Sequence, residues 1–402
     1  MPDLKVLVSH LRTTFVGPVE LLGLDIGAYA VKAVMLEVDK QGCRVLNWAY
    51  APLGLKADAS PEERRLVASK TIRDILAPKG MDKRPVAVSV SGNSVIVRYV
   101  KLNKFTRQEL EPIIASEAEP YIPFDIREVS LAFHILRDLE EEGKKKMEVA
   151  LVAAKKQLLD EHLEIVSSAG LLPLVVDVDV FALESLNEKL GASGDGSAVM
   201  VLNIGHKVTN IAILENGLTR VSRDIFVAGL SFNKSIAKVL KVDLLQAEQL
   251  KHRLGLQLGV EPPPLQITPG AGKPAGTEDV AAGLSDADAG PSLSKDEQEQ
   301  AQVSLALRDV LKDLVNETRR SVEFYLSQGQ KRSIKKILLS GGSANLKNLP
   351  QALSAELKVP VELINPFAIK NNFLVEDPPT DILPALSVAT GLALRRVGDG
   401  AK

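Results

Sequence analysis

The chain has 402 residues, of which 45% are hydrophobic and 25% charged, a composition typical of a protein with a sizeable buried core. Lys and Arg number 49 against 51 Asp and Glu, and this net charge of -2 argues against a nucleic-acid-binding protein that relies on an overall basic field. A single cysteine, Cys43, excludes an intramolecular disulfide and any cysteine-based zinc or iron–sulfur site, and it favours a reducing, cytoplasmic compartment.

The sequence predicts no membrane span, because no stretch reaches the roughly 18 uninterrupted apolar residues that a span requires. Glu20 and Asp25 interrupt the apolar core that a signal peptide would need. Apolar residues at helical spacing within 4–15 are interpreted as a short docked helix or a frayed end. A weak membrane-surface helix is the alternative for this segment.

Strand-like and helix-like patterns alternate along the chain, which predicts an α/β fold. The first part carries predicted strands at 21–25, 31–38, 44–50, 86–90, 95–101 and 172–178, a hairpin formed by 131–137 and 148–154, and helices at 61–76, 106–118 and 156–169. The last part carries a long predicted helix at 302–328, a strand at 334–339, and helices near 346–357 and 383–396.

Residues 259–300 differ sharply in composition from the segments on either side. They include six prolines, six glycines and eight acids against two lysines, and no aromatic residue. Such a segment buries too little apolar surface to offset the entropy of ordering it. We therefore predict a disordered acidic insertion at 259–300.

An internal repeat is the most informative feature of the sequence. Residues 20–37 (ELLGLDIGAYAVKAVMLE) have a counterpart 178 residues later at 198–215 (AVMVLNIGHKVTNIAILE). Each copy predicts a β-hairpin whose tip carries D/N-x-G. Glycine permits a close ligand approach, successive N–H groups in a tight turn attract anions, and a carboxylate such as Asp25 can hold Mg²⁺. Two such hairpins facing each other would clamp a nucleotide between two lobes.

Two further segments support a nucleotide site. Residues 336–346 form an apolar strand that runs into Gly341 and Gly342 and then into a helix start, where an adenine could lie against the backbone. Glu248 and Lys251 stand three residues apart on one predicted helix face. By itself that pair is typical of a surface salt bridge.

The ordered set of a D-x-G hairpin, an N-x-G hairpin, A-E-x-x-K and strand-S-G-G resembles the actin-like ATPase superfamily. Within it, the sequence is similar to the PilM family of type IV pilus assembly. This narrower resemblance depends on 116–129 (SEAEPYIPFDIREV), which is similar to that family's E-A-x-x-Y-I-P-F segment, and on 319–325 (RRSVEFY) and 361–367 (VELINPF). The resemblance covers about 20–258 and 300–398.

The resemblance implies a two-lobed actin-like ATPase fold built from duplicated ribonuclease H-like domains. The first lobe would span 1–190 and include a small inserted subdomain at about 102–170. The second lobe would span 197–398, with the C-terminal helix returning to the first lobe.

The resemblance also implies a cytoplasmic protein, peripheral at the inner membrane, that binds ATP and Mg²⁺. Its partners would be the N-terminal cytoplasmic peptide of a PilN-like inner-membrane protein and other proteins of the pilus platform and motor. The resemblance leaves open whether copies of the chain assemble into a homo-oligomeric ring. The implied nucleotide-binding residues are Asp25 (also the Mg²⁺ ligand), Gly27, Ala28, Tyr29, Lys32, Gly205, His206, Thr209, Gly229, Glu248, Lys251, Gly341, Gly342 and Asn345.

Tyr121, Ile122 and Phe124 are the candidate contacts for the partner peptide, because Pro123 between them fixes the backbone and exposed acids on the preceding helix would suit basic flanks of a peptide. The alternative is that these side chains pack the core of the inserted subdomain.

Departures from the family pattern bear on catalysis, for which Asp179 and Asn203 are the candidate residues. The first hairpin tip has a hydroxyl only at Tyr29, and Asn203 stands where an aspartate is common, so it lacks the charge to hold Mg²⁺ or act as a base. Asp179 is a candidate for orienting water, with Asp177 as its competitor; either could instead be a capping acid. We therefore expect weak or absent hydrolysis. A competent ATPase or phosphotransferase of the same fold and an FtsA-like cell-division protein are the alternatives.

Overall fold

The computed structural model describes residues 19–39, 42–56, 58–191, 197–258, 294–329, 332–369 and 377–395. The first part of the chain forms β1 (Val19–Ile26), β2 (Ala30–Asp39), β3 (Gly42–Pro52), α1 (Pro61–Leu76), β4 (Pro85–Val90), β5 (Val95–Asn103), α2 (Arg107–Ala118), β6 (Val129–Glu141), β7 (Lys144–Lys155), α3 (Lys156–Ser168), β8 (Leu172–Val178) and α4 (Asp179–Lys189). The remainder forms β9 (Ala198–Ile204), β10 (Thr209–Glu215), β11 (Leu218–Ile225), α5 (Gly229–Leu240), α6 (Leu244–Leu254), α7 (Lys295–Ser327), β12 (Ile334–Ser340), α8 (Leu349–Leu357), β13 (Val361–Leu363) and α9 (Ser387–Ala393).

Two five-stranded sheets share one topology. Their strand orders are β3-β2-β1-β4-β8 and β11-β10-β9-β12-β13. The central strand of each sheet, β1 or β9, pairs antiparallel with its hairpin partner, β2 or β10. On its other side it pairs in parallel with β4 or β12. The register also repeats, because Asp25 lies opposite Lys32 and Asn203 opposite Asn210. The predicted α/β fold with two similar lobes is confirmed.

The central strand of the second sheet shows why the repeat reads as an apolar run. Every residue of β9 is buried. Met200 and Leu202 face the core on one side of the sheet, and Val199 and Val201 face a core that both sheets share on the other side. A strand covered on both faces has no polar alternation.

Helices α4 and α9 contribute to the shared core between the two sheets. Helix α9 packs so closely on β1 that an added Cβ at Gly23 would overlap the carbonyl oxygen of Ala389, and so closely on α4 that one at Gly391 would overlap that of Ala182. The helix predicted at 383–396 is shorter in the structure, because Leu383–Leu386 forms a 3₁₀ turn before α9. This packing holds the C-terminal helix against the first lobe.

The inserted subdomain is a three-stranded sheet in the order β5-β7-β6, covered by α2. Its sheet spans 95–155, whereas the sequence placed the subdomain at about 102–170. The difference at the C-terminal side has a simple cause: Ile165 and Val166 of α3 pack with Ile72 of α1 in the core of the first lobe. Helix α3 therefore belongs to the first lobe and not to the subdomain.

Helix α7 begins earlier than predicted, so the acidic insertion predicted at 259–300 is wrong for its last residues. The side chain of Ser294 accepts from the N–H of Glu297 at 3.3 Å, and the Glu297 carboxylate accepts from the N–H of Ser294 at 2.8 Å. This capping box fixes the helix start, and the acids in the first turn stabilise it by their interaction with the positive end of the helix dipole. Residues 259–293 and the candidate N-terminal helix lie outside the described residues. Among the helices that are described, none combines the length and apolar character needed to cross a membrane.

Candidate functional site

The tips of the two repeated hairpins have the same backbone geometry. In tip 1 (residues 26–30) the N–H of Gly27 donates to the carbonyl of Ala30 at 3.0 Å, and in tip 2 (residues 204–208) the N–H of Gly205 donates to the carbonyl of Val208 at 3.0 Å. A Cβ added at Gly205 would lie 2.7 Å from the Val208 oxygen. Both glycines are therefore needed for tight turns that expose backbone to a ligand.

The two tips face a cleft of about 480 Å³ between the lobes, a volume within the usual range of a small-molecule site. The predicted residues that line it are Asp25, Gly27, Ala28, Tyr29, Lys32, Asp179, Asn203, Gly205, His206, Glu248, Lys251, Gly341 and Gly342. Gly341 has φ of +88°, and a Cβ there would overlap the backbone of Ile204, whereas a Cβ at Gly342 would meet no atom of the described residues within 4 Å.

Three of the predicted nucleotide-binding residues do not line the cleft. The hydroxyl of Thr209 is buried and donates to the carbonyl of Val227 at 2.7 Å. The N–H of Gly229 donates to the carbonyl of Gly205 at 2.9 Å, behind tip 2. The side-chain amide of Asn345 donates to the backbone of Asp381. These three residues thus make hydrogen bonds within the protein and lie outside the cleft lining.

Asp25 and Lys32 form an ion pair at the base of tip 1. Their charged atoms are 2.8 Å apart, and both side chains are largely buried, with 15% and 13% of their surface exposed. The pair follows from the strand register, because the two residues lie directly opposite each other. The Asp25 carboxylate is the group at the base of tip 1 that could hold a cation beside a phosphate.

Glu248 is the centre of a polar cluster on α6. Its carboxylate accepts from Lys251 at 2.9 Å, contacts the ring nitrogen of His252 at 2.8 Å, and accepts from the amide of Asn233. Burial would raise the pKa of Glu248, but these partners outweigh it and hold the pKa at about 2. Lys251 is only 3% exposed, so the pair is a buried feature of the cleft and not an ordinary surface salt bridge.

Asp179 lies in the cleft at the start of α4. Its carboxylate accepts from the Ser89 hydroxyl at 2.6 Å. Burial, together with the nearby Asp25 carboxylate, raises the pKa of Asp179 to about 6. Asp177 is placed differently, because it pairs with Arg395 and does not line the cleft. Of the two candidates for orienting water, only Asp179 is therefore near the tips.

Asn203 belongs to a chain of hydrogen bonds that crosses from one lobe to the other. Ser340 donates to its amide oxygen at 3.3 Å, and its amide nitrogen donates to Asn210 at 2.7 Å. Asn210 donates to Asp224 at 2.8 Å, and Asp224 accepts from the N–H of Gly92 in the first lobe at 2.6 Å. Asn203 acts here as both donor and acceptor, which a carboxylate could not do.

The tips also touch each other through their side chains. The rings of Tyr29 in tip 1 and His206 in tip 2 have centroids 5.4 Å apart and are tilted by 36°. Burial, opposed in part by Glu248, lowers the pKa of His206 to about 4, so the imidazole is neutral at physiological pH. This contact brings the two lobes together at one side of the cleft.

The candidate peptide residues differ in exposure. Tyr121 is 40% exposed, whereas Ile122 is only 7% exposed and packs in the core of the inserted subdomain. Phe124 is half-buried against the same core, with the ammonium group of Lys155 4.8 Å from its ring centre. For Ile122 the structure thus supports the packing alternative, and Tyr121 is the accessible member of the run.

Sequence reasoning missed the part of the cleft wall that helices supply. Arg64 of α1 and the pair Glu161 and His162 of α3 line the cleft, as does Tyr50 at the end of β3. No motif marks them, because the packing of α1 beside α3 brings Arg64, Glu161 and His162 to the cleft, and the pairing of β3 with β2 places Tyr50 opposite Lys32. Within the described ranges no group of three or more His, Cys, Asp or Glu side chains could form a metal site alone, so Mg²⁺ here would need ligand phosphates and water beside Asp25.

Comparisons with known proteins agree with the geometry. The family model described as "Type IV pilus assembly protein PilM" matches residues 23–261 and 284–397, most of the chain. A solved structure described as the PilM-PilN type IV pilus biogenesis complex is 28% identical, with a TM-score of 0.73, and the match covers 95% of this chain and 99% of that one.

More distant matches include the ethanolamine utilization protein EutJ from Carboxydothermus hydrogenoformans, which is 14% identical with a TM-score of 0.49, covering 94% of this chain and 90% of that one. MreB5 of Spiroplasma citri bound to ADP is 13% identical with a TM-score of 0.47, covering 92% and 94% of the two chains. The resemblance read from the sequence is confirmed by the family match, and the fold is the two-lobed actin-like ATPase fold. The chain belongs to the type IV pilus assembly protein PilM family.

Proposed function

We propose that this protein is an ATP-binding scaffold of the type IV pilus assembly platform that holds the N-terminal cytoplasmic peptide of a PilN-like inner-membrane protein and couples it to the pilus motor. It would act on the cytoplasmic side, peripheral at the inner membrane through this partner. The observation that carries the nucleotide part is the pair of equivalent glycine tips that face one cleft. Hydrolysis would be weak or absent.

The cleft residues fit a nucleotide with its base toward the second lobe. Gly342 leaves open space where an adenine could lie against the backbone, and the Glu248–Lys251 pair offers a carboxylate and an ammonium group to ribose and base. The phosphates would lie between tip 1 and tip 2, whose backbone N–H groups favour anions. Mg²⁺, when bound, would neutralise phosphate charge, and Asp25 is the residue that would hold it.

Two features of the cleft bear on hydrolysis in opposite directions. Asn203 supplies no charge to a metal ion or a water molecule, and its amide is already hydrogen-bonded to Ser340 and Asn210. This arrangement supports slow turnover. A competent ATPase is the second candidate, because a carboxyl with a pKa of about 6, as at Asp179, is well matched to general-base catalysis near neutral pH.

The partner assignment has separate support. The PilM-PilN complex is similar to this chain over nearly the full length of both. Tyr121 exposes an aromatic ring shortly after α2, which carries the exposed acids Glu109 and Glu111, and the exposed Glu119 follows directly after that helix. An apolar anchor beside acidic side chains suits a short peptide with apolar residues and basic flanks.

Binding of a fluorescent PilN-type N-terminal peptide, followed by anisotropy, tests the partner assignment. Tyr121→Ala is expected to weaken binding severalfold, since it removes the accessible anchor. Phe124→Ala is also expected to weaken it, provided that circular dichroism shows the variant folded. Phe324→Ala is the matched control, because Phe324 is an aromatic residue on α7 that is 56% exposed.

The peptide is expected to bind equally with ATP and with a non-hydrolysable analogue, because a scaffold does not need turnover. Wild-type affinity in folded Tyr121→Ala and Phe124→Ala variants would place the peptide groove elsewhere on the molecule.

A further inference from the structure

The cations of the cleft differ in whether an acid already neutralises them. Lys32 is paired with Asp25 at 2.8 Å and Lys251 with Glu248 at 2.9 Å. Arg64 has no acid within ion-pair distance among the described residues, and the one hydrogen bond of its guanidinium group there goes to the carbonyl of Gly27, at 3.1 Å. Arg64 therefore has unused donors at the cleft wall, beside tip 1.

The surroundings of Arg64 make an anionic partner favourable. The side chain is half-buried, and burial lowers the pKa of Arg64, although the more distant Glu161 carboxylate partly opposes this effect. Partial removal from water weakens the hydration of the cation, so an anion that accepts from its remaining donors would be favourable. A guanidinium group suits phosphate oxygens because it can form two parallel hydrogen bonds.

The backbone beneath Arg64 is well fixed. Arg64 stands in the first turn of α1, where its N–H donates to the carbonyl of Ser60 at 2.9 Å. The Ser60 hydroxyl caps the helix by accepting from the N–H of Glu63 at 3.1 Å. A capped first turn holds the guanidinium close to Gly27 before any ligand arrives, which reduces the entropy lost on binding.

Contacts within the fold show on which wall of the cleft Arg64 lies. Its guanidinium group donates to the carbonyl of Gly27 in tip 1, and the Asp25–Lys32 pair lies at the base of that tip. The Glu248–Lys251 pair, in contrast, belongs to α6 of the second lobe. Arg64 therefore lies on the first-lobe wall near Asp25, whereas the Glu248 cluster, where the proposed function places the ribose and base, lies on the second-lobe wall.

We infer that Arg64 binds the terminal phosphate of the nucleotide and makes the cleft prefer a nucleoside triphosphate to a diphosphate. This inference rests on the proposed nucleotide site. The terminal phosphate is the group farthest from the base, and Arg64 is, among the described residues, the cation beside tip 1 that no acid neutralises; Lys207 of tip 2 also lines the cleft without a described ion pair, but its side chain is exposed to water. Because Arg64 also holds Gly27, the same side chain links tip 1 to the presence of that phosphate.

Calorimetric titrations with Mg·ATP and with Mg·ADP test this role in the full chain. Arg64→Gln is expected to lower the affinity for Mg·ATP about tenfold or more and the affinity for Mg·ADP by less than about twofold. Arg64→Lys is expected to give an intermediate loss for Mg·ATP, since lysine keeps the charge without the planar fork. Arg65→Gln is the control, because the neighbouring Arg65 is 38% exposed and lies 4.0 Å from Glu164.

Equal losses of affinity for the two nucleotides would show that Arg64 only supports tip 1, and this result would overturn the inference. Unchanged affinity for Mg·ATP would also overturn it. Thermal melting identifies a variant that does not fold; if Arg64→Gln is unfolded, the ratio of ATP to ADP affinity in Arg64→Lys decides by the same criterion. Wild-type protein that binds neither nucleotide would overturn the nucleotide part of the proposed function as well. If the wild type binds nucleotide and the Arg64 variants bind Mg·ATP with the same affinity as the wild type, only this inference is overturned.

Discussion

Replacing Glu248 by glutamine is expected to lower the free energy of unfolding by about 3–5 kcal/mol, because it leaves the ammonium group of Lys251 buried without its counter-charge. Lys251 is 3% exposed, and the Glu248 carboxylate 2.9 Å away is its partner in the cleft. The carboxylate also holds His252 and Asn233, so the substitution disturbs several hydrogen bonds at once. Urea unfolding at pH 7 gives the free energies to compare.

Glu362→Gln is the matched control for this substitution. Glu362 pairs with Lys336 at 2.8 Å, but 55% of its side chain is exposed, and a pair of that kind contributes at most about 1 kcal/mol. If Glu248→Gln lowers the free energy of unfolding by no more than the control does, the buried pair does not stabilise the fold as its geometry indicates.

The effect of Glu248→Gln is expected to depend on pH. The folded protein holds the pKa of Glu248 at about 2, below its ordinary value of 4.5. The carboxylate therefore contributes its full stabilisation above pH 4.5 and loses it as the pH falls toward 2. The difference in unfolding free energy between wild type and variant should shrink over that acid range.

Alanine substitutions at the adjacent Gly341 and Gly342 are expected to differ strongly in their effect on the free energy of unfolding. Gly341→Ala should lower the free energy of unfolding by more than about 2 kcal/mol, because φ is +88° there and the new Cβ would lie 2.8 Å from the backbone nitrogen of Ile204. Gly342→Ala should change it by less than about 0.5 kcal/mol, since a Cβ there has open space in the described structure.

The substitution that has little effect on stability should have a clear effect on nucleotide affinity. The methyl group added at Gly342 would occupy the space proposed for the adenine, so Gly342→Ala is expected to fold normally and to bind ATP about tenfold more weakly. Thermal melting and calorimetry on the same preparations separate the two effects. A stable Gly342→Ala variant with wild-type affinity would show that the base lies elsewhere in the cleft.

The repeated hairpins could be predicted from the sequence because their signals are local. Alternating apolar strands, a polar residue and a glycine recur at a spacing of 178 residues, and the structure places Asp25 and Asn203 at equivalent positions. The capping box at Ser294 and Glu297 is also a local signal, but the composition of 259–300 predicts disorder over the same residues, so the predicted helix starts too late.

Other parts of the site depend on packing and had no local signal. Arg64 reaches tip 1 only because α1 packs on the sheet beside it. The spacing of Glu248 and Lys251 predicts a pair on one helix face, but the burial of that pair follows from tertiary contacts. In the same way, the Y-I-P-F pattern does not reveal that Ile122 faces the core while Tyr121 is exposed.

Asn203 shows how the structure changes the interpretation of a departure from the family pattern. From the sequence it is a missing negative charge. In the fold its amide donates to Asn210 and accepts from Ser340, which connects it to the contact between Asp224 and Gly92 in the other lobe. Asparagine at this position therefore supplies both a donor and an acceptor to this inter-lobe chain of hydrogen bonds.

Calorimetric titration of wild-type and Asp25→Asn protein with Mg·ATP tests most directly whether the two tips form a nucleotide site. We expect one binding site in the wild type and at least tenfold weaker binding in the variant, about 1.4 kcal/mol, because the variant loses the carboxylate beside the metal. Without Mg²⁺ the variant should lose little affinity for ATP, since Lys32, now released from its ion pair, is free to contact phosphate. Equal affinity of a folded Asp25→Asn variant for Mg·ATP, or no binding to the wild type, would contradict a nucleotide held between the tips.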